Sequence, residues 1–244
     1  MHAVASGTLA SPIGGRPVRW AATGRLGGVS AGEFAELNLA DHVGDDPVHV
    51  AANRGMLVDW ADGARLAVIG AEHGGRVRHV VEPGVVQGVD GLVTSTPDLA
   101  LLALAADCVP LVLADPERGV IGAAHCGWRG LVAGIVANTV ESMRAAGAAR
   151  IRAVVGPSIC GDCYPVPSER TAVVRDALAA DMAELVCRRV ADRDSLDVAA
   201  GVRAQLAQEG IEFAQIPGCT AESSDLFSYR RDHRTGRQGM IIVR

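Results

Sequence analysis

The chain contains 244 residues, of which 49% are hydrophobic and 21% are charged, proportions typical of a globular protein and not of a disordered chain or a coiled coil. The formal net charge is −5, every positive side chain is an arginine outside any basic block, and only 3% of residues are aromatic. These values argue against a nucleic-acid partner. The longest apolar run, Leu99 to Ala106, is shorter than the roughly 20 residues that cross a membrane, so no membrane partner is predicted.

The N-terminal segment has neither a basic start nor a continuous apolar run, so no secretion signal is predicted and we expect a cytoplasmic protein. In a reducing compartment the six cysteines are expected to be thiols. Residues 1–15 are a candidate for a loose segment. Residues 16–244 are expected to form one domain, because no repeat or low-complexity linker interrupts them.

Caps, turn residues and apolar spacing predict the elements in chain order. A helix capped by Asp46 is predicted from Pro47 to about Asp62, followed by strands over Arg65–Gly70, Val77–Val81, Gly91–Thr94, Val109–Ala114 and Val120–Ala124. A helix is predicted just after Gly130, then a strand over Ile151–Val155, helices after Ser168 and Ser195, and a last strand over Met240–Val243. Early strands follow one another and later strands alternate with helices. This order predicts an α/β (mixed) fold, with mixed sheets covered by helices in a layered α/β/β/α sandwich.

Three segments place a metal-ligating side chain at or beside a strand end: His73, Cys108 and His125. Strand ends can meet at a common edge, so these residues are candidates to converge although they are distant in sequence. Two imidazoles and one thiolate would give zinc three protein ligands and one open position, the arrangement of a catalytic site. The competing interpretation is a small core cysteine with two hydrogen-bonded interior histidines.

A second feature is the turn from Gly127 to Gly130, which leads into a helix whose free N–H groups would attract an anion such as phosphate near Arg129. Near the C-terminus, Arg230, Arg231, Arg234 and Arg237 cluster around an aromatic segment, and guanidinium groups bind phosphate or carboxylate. The alternatives are a glycine turn with a solvated arginine and a cluster of surface ion pairs.

The remaining cysteines and histidines offer weaker signals. Cys160 and Cys163 have the spacing of a redox or zinc motif, but Cys187 and Cys219 stand apart in sequence and form no second pair, so the motif is interpreted as structural. Four other histidines have no defensible partner pattern and are expected to be solvated or in the core, namely His42, His49, His79 and His233.

Taken together, the motifs resemble one family, the laccase-domain proteins formerly called polyphenol oxidases and now associated with purine nucleoside phosphorylase activity. The matching segments cover most of the chain: 27–30, 37–39, 44–46, 53–54, 73–74, 90–94, 106–110, 125–130, 156–159, 219–220 and 227–232. The resemblance implies that His73, Cys108 and His125 are the zinc ligands.

The sequence departs from the family pattern at four positions near these motifs. Ala71 replaces a usual glutamine, and Glu72 replaces an apolar residue beside the first ligand. Cys126 stands where alanine is usual and is either a packing substitution or an accessory thiol. Pro165 stands where glutamate commonly follows the tyrosine.

The resemblance further implies phosphorolysis of adenosine, inosine or methylthioadenosine, and deamination of adenosine at the same site. The implied partners are therefore a nucleoside and phosphate, and the oligomeric state is left open. Catalytic candidates are Cys108, Glu72 and Asp107, with the two carboxylates as proton carriers. The candidate substrate and phosphate ligands are Arg25, Asn38, Arg54, Arg129 and Arg230.

Three alternatives remain open at this stage. A copper oxidase is one, because two His and a Cys also form blue-copper sites, although seven histidines are too few for a full set of laccase coppers. A metal-free cysteine hydrolase acting on cell-wall precursors is another, with Cys108 as nucleophile, His125 or His73 as base and Asp107 or Glu72 as the orienting carboxylate. The third is a protein that only stores the metal.

Overall fold

Two six-stranded mixed sheets form the centre of the computed structural model, which describes residues 3–10 and 17–244. The strands are β1 Ala3–Leu9, β2 Val18–Thr23, β3 Arg65–Gly70, β4 Val77–His79, β5 Gly84–Gln87, β6 Gly91–Thr94, β7 Leu99–Ala105, β8 Val109–Asp115, β9 Val120–Cys126, β10 Arg152–Val155, β11 Cys187–Val190, β12 Arg193–Leu196, β13 Glu212–Gln215 and β14 Gln238–Val243. The helices are α1 Pro47–Trp60, α2 Trp128–Val132, α3 Ile135–Ala145, α4 Ser168–Ala177, α5 Ala180–Val186, α6 Val198–Gln208 and α7 Tyr229–Asp232, with a 3₁₀ turn at Gly32–Phe34.

The first sheet has the order β1-β2-β14-β7-β3-β5 and the second β13-β10-β8-β9-β6-β4, while β11 and β12 form a separate hairpin. Both large sheets contain parallel and antiparallel pairs. For example, β3 is parallel to β7 and β5, whereas β8 is antiparallel to β9 and β10. The predicted mixed α/β class is therefore confirmed.

Three apolar clusters define the layers. Side chains such as Leu101 of the first sheet and Ile121 of the second pack between the two sheets. Helix α1 covers the outer face of the first sheet, where Leu57 packs in the cluster that contains Leu102. Helices α2 to α6 cover the outer face of the second sheet. The central strands β7, β8 and β9 are buried along their whole length, which explains their nearly continuous apolar sequences.

Helix α1 begins where the sequence predicts. Asp46 accepts a 2.8 Å hydrogen bond from the Val48 N–H, and Pro47 occupies the first turn, where a missing donor costs nothing. The helix ends at Trp60, two residues before the predicted end, and Gly63 follows with a φ of 81°. Within the described residues, no helix is both long enough and apolar enough to span a membrane.

Other elements differ from the prediction. Ala3–Leu9, placed in the loose segment, pairs antiparallel with β2, while 1–2 and 11–15 lie outside the described residues. The helix expected just after Gly130 is two helices, because Gly134 adopts a φ of 73° that a side chain would disfavour. Ser195 lies in β12, and Asp197 caps the following helix instead. The strands β5, β11 and β13 are short or exposed and were not predicted, because apolar and polar residues do not alternate clearly along them.

Candidate active site

The side chains of His73, Cys108 and His125 converge, as the strand-end positions predict. Their nitrogen and sulfur ligand atoms all lie within 4.8 Å of one another, and the two imidazole rings meet edge to face with centroids 4.8 Å apart. Cys108 immediately precedes β8, and His125 lies in the neighbouring strand β9. The antiparallel pairing of these strands sets Pro110 opposite His125, which brings Cys108 and His125 close together. His73 reaches them from the loop that follows β3 of the other sheet.

The loop that carries His73 is held by Asp90, a buried residue at the start of β6. The Asp90 carboxylate accepts backbone hydrogen bonds from Glu72, His73 and Gly74 at 3.2, 2.9 and 2.7 Å. His73 itself has a φ of 63°, uncommon for a residue with a side chain. The carboxylate therefore stabilises an unfavourable turn that directs the imidazole toward Cys108.

Asp90 also contacts the second histidine, with 2.9 Å between its Oδ1 and the His125 Nδ1. The imidazole that donates Nδ1–H to a carboxylate presents Nε2 to a metal, an arrangement common around metal-bound histidine. The hydrogen bonds hold the pKa of Asp90 below its usual range although burial by itself raises it. Asp90 was not among the predicted site residues, and its signal in the sequence was its position in a family motif.

Cys108 and His125 form a charged pair in the metal-free chain. Burial by itself raises the pKa of Cys108, but the neighbouring His125 and His73 lower it to about 6. Burial likewise opposes protonation of His125, whereas the thiolate and Asp90 raise its pKa to about 9. Near neutral pH the sulfur is thus already the anionic form that binds metals.

The residues fit a soft or borderline divalent metal. The donor set of one sulfur and two imidazole nitrogens is typical of zinc and of copper sites. Gly127 leaves the necessary space, because a Cβ there would lie 3.1 Å from both the Cys108 Sγ and the His73 Cδ2. The group is consequently a candidate centre for either zinc or copper.

A cavity of about 880 Å³ opens on this cluster and is called here the central cavity. It is large enough for a small organic ligand. The predicted site residues that line it are His73, Cys108, His125, Asp107, Arg54, Arg129 and Arg230. Further lining side chains that were not predicted as ligands include Tyr164, Arg170, Tyr229 and Arg237, together with His42 and His233.

Arg54 is a cavity arginine that has a buried donor without a partner among the described residues. Its Nε donates to the Leu39 carbonyl at 2.8 Å and its Nη1 to Asp41 at 3.2 Å. Its Nη2 is buried and has no hydrogen-bond partner among the described residues. A buried guanidinium donor without a partner is energetically costly, which makes it a candidate to bind an anion.

The other cavity arginines are positioned by aromatic rings and backbone carbonyls. Arg129 and Arg170 stack on Trp128 with centroid distances of 4.7 and 5.2 Å, and Arg230 stacks on Tyr164 at 4.8 Å. Arg230 also donates to the Pro165 carbonyl at 2.8 Å. These contacts concentrate positive charge around the cavity.

Arg25 and Asn38, predicted to bind substrate or phosphate, are not among the residues that line the central cavity. Arg25 donates to the Ala35 carbonyl at 2.8 Å and stacks on Phe227. Asn38 is buried, and its Oδ1 accepts the Arg237 N–H at 2.9 Å. In this structure Arg25 contacts a loop carbonyl, and the Asn38 side chain contacts the main chain of the cavity residue Arg237, so a substrate or phosphate role for either stays a prediction.

The two carboxylates predicted to carry protons both have other partners. Glu72 forms an exposed ion pair with Arg76 and does not line the central cavity. Asp107 accepts from Thr220 Oγ1, Ser228 Oγ and the Arg230 N–H at 2.6 to 2.7 Å. Its φ of 88° shows that it occupies a turn. These contacts favour a positioning role for Asp107, whereas Glu72 is paired with Arg76 outside the cavity lining.

The extra thiols have different environments. Cys126 is fully buried in the core beneath the second sheet, and burial raises its pKa well above the usual value, so its side chain is a packing substitution. Cys219 does not stand apart as the sequence suggested. It lies with Cys160, Cys163 and Glu222 in a group whose ligand atoms are within 4.8 Å of one another.

The fold and site define a class of two-sheet α/β proteins with a His-Cys-His group open to a large cavity. The family model described as "Multi-copper polyphenol oxidoreductase laccase" matches residues 19–244, and the chain belongs to this family.

Curated relatives match almost end to end. A Streptomyces coelicolor protein named purine nucleoside phosphorylase is 48% identical, covering 88% of this chain and 90% of that protein. A Deinococcus radiodurans protein of the same name is 46% identical over 90% and 87% of the two chains. Among solved structures, YlmD from Geobacillus stearothermophilus gives a TM-score of 0.86 at 32% identity, covering 93% of this chain and 92% of that one. The Neisseria meningitidis protein NMB0706 gives 0.82 at 30% identity, covering 93% of each chain.

Proposed function

We propose that this chain is a metal-dependent purine nucleoside phosphorylase. The observation that carries the proposal is the central cavity, in whose lining the His-Cys-His group occurs together with several guanidinium groups. The names of the curated relatives support the same substrate class. The substrates would be adenosine, inosine or methylthioadenosine, together with inorganic phosphate.

In phosphorolysis, a phosphate oxygen forms a bond to the sugar carbon C1′ while the bond from C1′ to the purine nitrogen breaks. The chain must therefore hold a dianion against an electron-poor carbon. Arg54 offers a buried donor with no partner in the described structure, and Arg129 and Arg230 are fixed by stacking on Trp128 and Tyr164. Guanidinium groups held in this way bind and orient phosphate without reorganising during the reaction.

The same proposal includes zinc bound by His73, Cys108 and His125, and hydrolytic deamination of adenosine. When bound, such an ion supplies Lewis-acid chemistry that makes water nucleophilic near neutral pH. His125 is held in one orientation by Asp90, and the Cys108 thiol is already largely deprotonated. In deamination, water would add to C6 of the purine and ammonia would leave, so phosphate is not consumed.

The test is to measure metal content and then assay adenosine with and without phosphate. Release of adenine and ribose 1-phosphate only with phosphate supports phosphorolysis, and phosphate-independent inosine supports deamination. The Cys108→Ala variant and the chelated protein should both lose turnover, and added zinc should restore only the chelated wild type. Failure of zinc-loaded protein to convert any of the three nucleosides would refute the proposal.

The alternative of a cysteine hydrolase also has structural support, because Cys108, His125 and Asp90 are arranged as nucleophile, base and orienting carboxylate. The orienting residue would be Asp90, not Asp107 or Glu72 as predicted. Turnover of an amide that survives complete chelation but is lost in Cys108→Ala would favour this alternative. Phenol oxidation that requires added copper would favour the oxidase, and retained metal without any turnover would favour storage.

A further inference from the structure

A second group of metal-ligating side chains lies on the loops that precede α4 and follow β13. Cys160, Cys163, Cys219 and Glu222 each offer one ligand atom, and these four atoms lie within 4.8 Å of one another. No member of this group belongs to the His-Cys-His group of the central cavity. Its composition of three sulfurs and one carboxylate oxygen calls for a separate explanation.

Backbone hydrogen bonds bring the two loops together. The Cys163 N–H donates to the Cys160 carbonyl at 3.1 Å, which closes the turn between the first two cysteines. Ser158 and Cys219 form a parallel β-bridge, in which the Thr220 N–H donates to the Ser158 carbonyl at 3.1 Å. The third sulfur is therefore placed beside the turn by main-chain contacts.

The sulfur atoms also have polar contacts within the group. The Cys160 N–H points at the Cys219 Sγ, 3.3 Å away, and so donates to sulfur. The Cys163 Sγ lies 3.5 Å from Glu222 Oε1. Cys219 is buried, while Cys160 and Cys163 are half-buried and Glu222 is exposed. An ion could therefore enter from the Glu222 side and be enclosed by sulfur on the other.

We propose that Cys160, Cys163, Cys219 and Glu222 bind a structural zinc ion, distinct from the metal of the central cavity. Three thiolates and one carboxylate supply the four donors of a closed tetrahedral zinc site, and thiolates select zinc over calcium or magnesium. The cavity group has three protein ligands and an open position, whereas this group needs no water or substrate to complete its coordination.

This second site would fix one wall of the central cavity. Tyr164, which lines the cavity under the Arg230 guanidinium, directly follows Cys163. On the other loop, Thr220 follows Cys219 and donates to the Asp107 carboxylate at 2.6 Å, next to Cys108. Joining the two loops through one ion would restrain both of these contacts.

A disulfide is the rival explanation for this group of cysteines, although all six cysteines are free thiols in this structure. It would require an oxidant, would use only two of the three sulfurs and would leave Glu222 without a role. The two explanations predict different masses and different metal contents for the protein.

The experiment measures metal per chain in full-length protein produced with zinc and purified under reducing conditions. We expect about two zinc ions for the wild type, about one for Cys163→Ser and about one for Cys108→Ala, by elemental analysis calibrated to protein concentration. Cys187→Ser, which alters a buried thiol outside both groups, is the matched control and should retain two.

Cobalt(II) titration provides a second measurement that does not depend on the folding of Cys163→Ser. Cys108→Ala has no sulfur left in the cavity group, so an intense thiolate-to-cobalt absorption band in that variant must come from the second site. Native alkylation should then spare Cys160, Cys163 and Cys219 until a chelator is added. The proposal is overturned if Cys108→Ala binds cobalt without this band, if it retains no zinc, or if reduced-purified protein still has the mass of a disulfide.

Discussion

Replacing Asp90 with asparagine tests whether this residue positions the candidate metal ligands. The carboxylate accepts three backbone N–H groups from residues 72–74 and contacts His125 Nδ1. An amide has one acceptor oxygen and carries no charge, so the loop of His73 and the ring of His125 lose their common anchor. Losing such a partner typically weakens metal binding by 10- to 100-fold, or about 1.4 to 2.7 kcal/mol.

The assay is competition for zinc between Asp90→Asn and a chromophoric chelator at fixed pH and ionic strength. Asp115→Asn is the matched control, because Asp115 is equally buried and accepts four backbone N–H groups at 2.6 to 3.1 Å. It lies six residues along β8 from Val109, about 20 Å at 3.3 Å per residue. Asp115→Asn should lower the unfolding temperature and leave the affinity of the cavity site unchanged. Equal effects of both variants on zinc affinity would refute the positioning argument.

Three further predictions concern the same cavity. Gly127→Ala should weaken zinc binding about tenfold without unfolding the protein, because the new Cβ crowds the Cys108 sulfur; unchanged affinity would mean that the site relaxes freely. Arg54→Lys should raise the phosphate KM 10- to 100-fold, since it removes the unpartnered donor, whereas Arg25→Lys should leave it unchanged. In metal-free protein, alkylation of Cys108 followed by peptide mass spectrometry should lose rate as pH falls through about 6, because protonation removes the thiolate that His125 stabilises; a midpoint near 9 would contradict this pairing.

The candidate metal ligands could be predicted because each is marked locally in the sequence. Cys108 immediately precedes a strongly apolar run, His125 lies near the end of another, and His73 follows a third. Strand ends are recognisable from hydrophobic patterning, and their convergence at an edge is a general property of sheets. The order of strands in a sheet depends on long-range pairing, so local patterning predicts the strand ends but not which of them meet.

Asp90 and Cys219 were missed for a different reason. Each acts on a segment that is distant in sequence, and the partner is determined by which loops the two sheets bring together. A carboxylate before a strand and a single cysteine have many possible partners, so neither pattern specifies one. Arg25 shows a related difficulty, because an arginine in a motif serves a loop contact as readily as a ligand, and the sequence does not separate the two.

The pairing of β8 with β9 would link binding of the proposed metal to the assembly of the whole sandwich. Side chains alternate between faces along a strand, so a slip of one residue would turn His125 away from Cys108 and separate the donors. An ion that needs both donors stabilises chains with the correct alignment and gives no such benefit to misaligned ones. Metal supplied during synthesis would in this way favour chains with the correct strand register, independently of any role in turnover.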